Sequence, residues 1–157
     1  MEIKNEKILN RMAAMCSRRE YCEYDIREKL KKSQLDDSDI TAVIKELKER
    51  NFINDERFAT AYAKDKFQFN GWGKRKIAMM LSFKNIDDDT ISNAINNIEQ
   101  DPYKEKCLAL LKSKAKSIKA ENLSELKNKL LRFSIGRGFD YETSLQCISE
   151  ITLQANP

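Results

Sequence analysis

Histidine is absent from the 157 residues. That removes the serine and cysteine triads, the imidazole metal sites and the usual general base at neutral pH, so most enzyme classes lose their chemistry. Only two prolines and four glycines are present, too few for a turn-rich or strand-rich fold, and the Lys, Glu, Leu, Ile and Ala content favours helices joined by short connections. No run approaches the roughly 18 apolar residues of a membrane span, and Met1–Asn10 mixes charges with single aliphatics, so neither a span nor a secretory leader is expected and the expected location is cytoplasmic. The four cysteines (Cys16, Cys22, Cys107, Cys147) form no C-x-x-C pair; within helical patterns they read as buried, reduced thiols.

What is present is 41% hydrophobic and 34% charged residues, with a formal net charge of +4. The total conceals a segmentation: residues 1–63 are neutral, 64–84 carry +5, 85–103 carry −5, 104–137 carry +7 and 138–157 carry −3. Two basic blocks of this kind suit a polyanion, because each Lys or Arg near a phosphate releases a condensed counterion. They suit a solvated helix face equally well.

The apolar positions repeat. Ile26, Leu30, Leu35, Ile40, Ile44 and Leu47 shifted by 51 fall on Ile77, Leu81, Ile86, Ile91, Ile95 and Ile98. A further shift of 53 gives Leu130, Ser134, Phe139, Ser144, Ile148 and Ile151, with Ile135 and Leu145 expected to stand in for the two serines. Asp36, Asp87 and Asp140 recur on the same offsets as helix N-caps, and Gln34, Asn85 and Gly138 precede them where a helix must turn out through left-handed backbone, Gln34 being the poorest fit. Cys22 and Gly73 correspond as N-caps of second helices. The expected fold is all-α, an elongated tandem array of three three-helix repeats over residues 1–51, 52–101 and 102–157. Helices are expected at 5–18, 23–33 and 37–50, then 55–68, 74–84 and 88–99, then 102–118, 124–135 and 141–153, with Pro102 at a first helical position. Such arrays offer long surfaces for large partners and point to binding, not turnover.

These residues carry a resemblance that covers nearly the whole chain. Ser17-Arg18-Arg19-Glu20-Tyr21 leading into Ile26-Arg27-Glu28-Lys29-Leu30, then Phe52-Ile53-Asn54-Asp55-Glu56-Arg57-Phe58-Ala59, then Gly73-Lys74-Arg75-Lys76-Ile77 with Leu81 and Ile86, and finally Phe133 through Phe139, together resemble the ordered motifs of the RecX family. Lys74 stands where that family often has Pro, Gln34 and Asn85 where it often has Gly, and Cys22 where it often has Ser or Thr. The resemblance implies tandem three-helix units that bind RecA recombinase filaments in their groove and reduce strand exchange, ATP hydrolysis and co-protease activity. It also implies a protein without catalysis or cofactor.

The densest candidate contact lies between residues 64 and 76: Lys64, Lys66, Trp72, Lys74, Arg75 and Lys76. Here three adjacent cations repel one another unless an anion is near, so the three are expected to be exposed. Gly73 opens a helix whose free N–H groups are placed to face a phosphate or carboxylate. Trp72 matches Tyr21 on the 51-residue shift and reads first as packing between helices, with partner contact the second reading. Arg132 and Arg137 extend the basic surface or simply flank a helix exit, and Arg18 and Arg19 sit near a helix C-terminus that favours cations on its own. Asp55 and Arg57 read as a cap and an ion pair between units. Asp87-Asp88-Asp89 is explained by capping, and no metal is assigned. The leading expectation is thus a monomeric regulator of RecA–DNA filaments with weak, non-specific affinity for single- or double-stranded DNA. The rival is a stand-alone helical DNA-binding protein, and a carboxylate-dependent nuclease ranks far behind.

Overall fold

Helical spacing of the core residues decides the architecture. The structure, a computed structural model, describes the backbone of residues 3–155 and the side chains of residues 5–153; the expected outer limits at 1 and 157 lie outside the described residues. Among these there are nine α-helices and no strand: α1 (Ile3–Arg18), α2 (Glu23–Lys31), α3 (Asp37–Glu49), α4 (Asp55–Asn70), α5 (Lys74–Phe83), α6 (Asp88–Asn96), α7 (Gln100–Ala115), α8 (Leu123–Gly136) and α9 (Tyr141–Ala155). Helices pack on one another within successive triples, α1 and α2 on α3, α4 and α5 on α6, α7 and α8 on α9. The accessible surface of 9909 Å² exceeds the roughly 8,100 Å² of a compact chain of this mass, as an extended array requires.

The repeated punctuation does what its chemistry suggests. Asp36, Asp87 and Asp140 accept backbone N–H bonds from Asp39, Thr90 and Thr143 at 2.8–2.9 Å. Those bonds hold the carboxyls of Asp36 and Asp87 below the usual range. At Asp140 burial works the other way, and the Thr143 bonds outweigh it. Gln34, Asn85 and Gly138 all take left-handed backbone, with φ of 60°, 59° and 95°, so even the glutamine is held in a conformation that costs a side-chain-bearing residue about 1 kcal/mol.

Two expectations are corrected. Ser134 and Ser144 keep the core positions themselves: both are buried, their hydroxyls bond each other at 2.6 Å, and Ser144 also donates to the Asp140 carbonyl. Mutual pairing removes the desolvation penalty, while Ile135 and Leu145 point outward. Pro102 is the third residue of α7, which opens at Gln100 after the N-cap Glu99; its missing N–H is still one of the unpaired first-turn donors.

The apolar side chains divide into two cores. Leu9, Met12, Ile26, Leu30, Ile44 and Leu47 belong to the first triple alone. The second and third triples share one core, in which Leu81, Tyr103, Leu111, Leu130 and Phe139 are essentially inaccessible, each such side chain contributing about 1.5–3 kcal/mol of burial. From the first triple, Cys22 enters this second core and Tyr24 packs against it. All four cysteines are buried and unpaired, and burial pushes the thiols of Cys22 and Cys147 up to about 12, which leaves them unreactive.

Candidate functional site

The joint between the second and third triples organises the cationic residues. Gly71 ends α4 in left-handed backbone and Gly73 is the N-cap of α5. A β-carbon on Gly73 would stand 2.3 Å from the Gly138 carbonyl carbon and the Phe139 nitrogen. The two chain segments therefore meet backbone to backbone, which glycine alone permits.

Three of the first four N–H groups of α5 are consumed there. Gly73 donates to the Arg137 carbonyl at 2.8 Å, Arg75 to the Gly138 carbonyl at 3.0 Å, and Lys74 to the Tyr103 hydroxyl at 3.1 Å. The expectation that this terminus faces a phosphate is overturned: the third triple occupies it. Tyr103 is the hub, tilted against Phe67 and Phe139 at 5.9 and 5.2 Å, and burial raises its hydroxyl pKa. The end of α4 is closed the same way, by Arg137 on the Asn70 carbonyl at 2.9 Å and Lys106 on the Gln68 carbonyl at 3.0 Å.

The adjacent cations Lys74, Arg75 and Lys76 are consequently not a shared exposed patch. Lys74 lies over the Tyr103 ring at 4.6 Å and Lys76 over Trp72 at 4.6 Å, and both are half-buried. Aromatic faces provide the negative potential that relieves their repulsion. Lys66 covers Trp72 as well, at 5.0 Å, and Trp72 itself is half-buried in a T-shaped contact with Tyr62. Arg75 is the exposed member.

Arg75 instead shares a groove of about 450 Å³ with Arg132, Asn128 and Tyr141. Arg132 also lines a neighbouring groove of about 440 Å³ with Lys114, Lys119 and Lys129, so five cations follow one another across this side of the molecule. Arg19, stacked on Tyr21 at 4.5 Å, shares a third groove of about 540 Å³ with Lys66 and Lys84 at the joint of the first two triples. Lys64 lies apart, beside Thr60, Gln68 and Glu99, and Arg18 is exposed at the end of α1.

That first joint is polar where the second is apolar. Asp55 accepts from the Glu23 N–H at 3.0 Å, capping α2 across the joint while Asn54 caps its own helix, and Arg57 pairs with Glu20. Burial raises the Asp55 pKa. Lys84 meets Asp25 at 2.5 Å, both largely shielded; burial opposes the ammonium's charge, but the bond and charge of Asp25 prevail and its pKa is raised. Lys84 and Tyr103 escaped sequence reasoning because their partners lie 59 and 29 residues away, and no local pattern marks such pairs. Among the described residues no group of three His, Cys, Asp or Glu side chains converges on a metal position, and no helix is long and apolar enough to cross a membrane.

Residues 54–95, which run from the N-cap of α4 through all but the last residue of α6, match the family model described as RecX, second three-helix domain. A regulatory protein RecX from Haemophilus ducreyi (strain 35000HP / ATCC 700724) is 34% identical over 131 residues, covering 83% of each chain. The chain belongs to the RecX family. A regulatory protein RecX from Clostridium botulinum (strain Eklund 17B / Type B) is 30% identical over 130 residues, covering 82% of this chain and 60% of that protein; the chain thus spans about 60% of the length of the clostridial relatives it matches. The crystal structure of RecX from Lactobacillus salivarius shares the fold with a TM-score of 0.84 at 23% identity, covering 95% of this chain and 97% of that one. RecX relatives carry the name of regulators.

Proposed function

We propose that this chain is a cytoplasmic, monomeric, non-catalytic regulator that binds RecA–DNA filaments and mainly inhibits their recombinase, ATPase and co-protease activities in DNA repair and the SOS response. Membership of the RecX family supports the partner. The run of cations through Arg75, Arg132, Lys114, Lys119 and Lys129, exposed in all but the half-buried Lys129, is the observation that carries the mode, since a filament containing nucleic acid is a polyanion and such a run gains affinity by counterion release. Arg18, Arg19, Lys64 and Lys66 extend the contact toward the first triple. Lys74, Lys76, Trp72 and Arg137 act beneath that surface, by holding the joint from which Arg75 and Arg132 project.

Co-sedimentation with RecA filaments on single-stranded DNA tests the reading. The wild type is expected to pellet with the filament, and the Arg75→Glu/Arg132→Glu variant to remain in the supernatant with unchanged thermal stability. The groove of Lys114, Lys119, Lys129 and Arg132 also favours a second reading, a stand-alone DNA-binding protein. That reading predicts tight, sequence-selective binding to naked duplex with a steep salt slope and no added affinity for the filament.

A further inference from the structure

Helix α5 exposes apolar residues on a face that its sister helices keep polar. Arg75, Met79 and Phe83 follow one another at four-residue spacing, so they share one side of the helix. Arg75 is exposed, Met79 is 50% exposed and Phe83 64%. The repeat supplies an internal comparison: the positions of Met79 and Phe83 hold Glu28 of α2 and its C-cap Lys32, and Arg132 and Gly136 at the end of α8. Burial in the array therefore does not call for apolar side chains there, and the second triple alone carries them.

At its N-terminal end this face runs into the groove where Arg75 and Arg132 stand beside Tyr141, 58% exposed, and Ile135. Helix α5 carries no acidic residue. The acid of α8, Glu125, is engaged by Lys129 at 2.9 Å. The patch is thus apolar along its length and cationic at its end, with no nearby free carboxylate on either helix to satisfy the arginines. A phosphate backbone complements the arginines but leaves Met79 and Phe83 in contact with nothing apolar. A protein segment complements both, because its aliphatic or aromatic side chains bury against Met79 and Phe83 while carboxylates reach the guanidinium groups.

We propose that the exposed face of α5 is a protein-docking surface on which Met79 and Phe83 take an acidic segment of the RecA protomer bearing apolar side chains, with Arg75 at the border it shares with the cationic run. The inference rests on the filament reading above and names the part of the chain that touches protein. Affinity for RecA filaments assembled on poly(dT) is measured for the wild type, Met79→Ser/Phe83→Ser and Arg75→Glu, alongside affinity for naked poly(dT), sedimentation velocity and thermal melting. The serine variant is expected to lose about tenfold or more in filament affinity, to keep its affinity for poly(dT), and to melt within a degree or two of the wild type because both side chains are exposed. Arg75→Glu is expected to lose filament affinity at low salt, with the deficit shrinking as salt rises.

Unchanged filament affinity in the serine variant, with the wild type binding, overturns the docking face and leaves the filament reading standing. A matching loss on naked poly(dT) assigns the face to nucleic acid instead, and a wild-type dimer abolished by the serine variant assigns it to a second copy of this chain; either result overturns the proposal. Absence of wild-type binding to the filament overturns the filament reading, and the inference with it.

Discussion

Alanine at Gly73 and alanine at Gly136 are chemically the same change with opposite expected signs. Gly73 has ordinary extended backbone, so alanine meets no conformational penalty there. Its β-carbon, however, would lie 2.3 Å from Gly138 and Phe139 backbone atoms, which have no rotamer to escape into. Relief requires the two segments to part by about 1 Å, which lengthens the Gly73 and Arg75 N–H bonds to the Arg137 and Gly138 carbonyls. Two weakened bonds at a partly buried joint, at about 1–2 kcal/mol each including the exposed partners, give a loss of about 2–4 kcal/mol. Gly136, the last residue of α8, has nothing within 4 Å of its β-carbon, and alanine there should gain about 0.5–1 kcal/mol of helix stability. Urea denaturation followed by circular dichroism measures both. A Gly73→Ala loss below about 0.5 kcal/mol would refute the backbone-to-backbone joint.

Other consequences follow from the caps, turns and polar joint. Asn85→Gly and Gln34→Gly relieve left-handed backbone at φ of 59° and 60° and should each raise stability by about 0.5–1 kcal/mol in the same denaturation assay. Removing Asp25 alone by Asp25→Leu leaves the largely buried Lys84 ammonium unpaired and should cost about 1–3 kcal/mol, whereas Asp25→Leu/Lys84→Met should recover much of it. The depressed carboxyls of Asp36, Asp87 and Asp140 add stability that is fully present above the ordinary aspartate value and is lost as the pH falls through and below about 4. Asparagine at all three keeps the cap and should flatten the acid limb of a pH–stability profile while leaving neutral stability nearly unchanged.

The repeat was legible because everything that defines it is local. Ile26 and Leu30, or Ile77 and Leu81, reveal their shared face through spacing alone, and Asp36, Asp87 and Asp140 bind donors three residues away. The serines show the limit of apolar pattern matching: a Ser134–Ser144 pair fills core positions by satisfying its own hydroxyls, which hydrophobicity does not register. How the first two triples join was legible in part, since Asp55 and Arg57 read as a cap and an ion pair between units and are found so; how the second and third join was not. Lys74-Arg75-Lys76 reads as a charge run until Tyr103 and Trp72 are seen beneath two of its members, and nothing local signals that Gly73 needs to be glycine for the sake of Gly138. The candidate site depends on those joints, so its composition was readable and its membership was not.

The single-strand-DNA-dependent ATPase of RecA, measured with this chain titrated in well below one molecule per RecA protomer, addresses the central claim most directly. The account predicts inhibition at a few molecules per filament, relieved by Arg75→Glu/Arg132→Glu. An ATPase unaffected even at one chain per RecA protomer, with tight and sequence-selective binding to naked DNA, would contradict it.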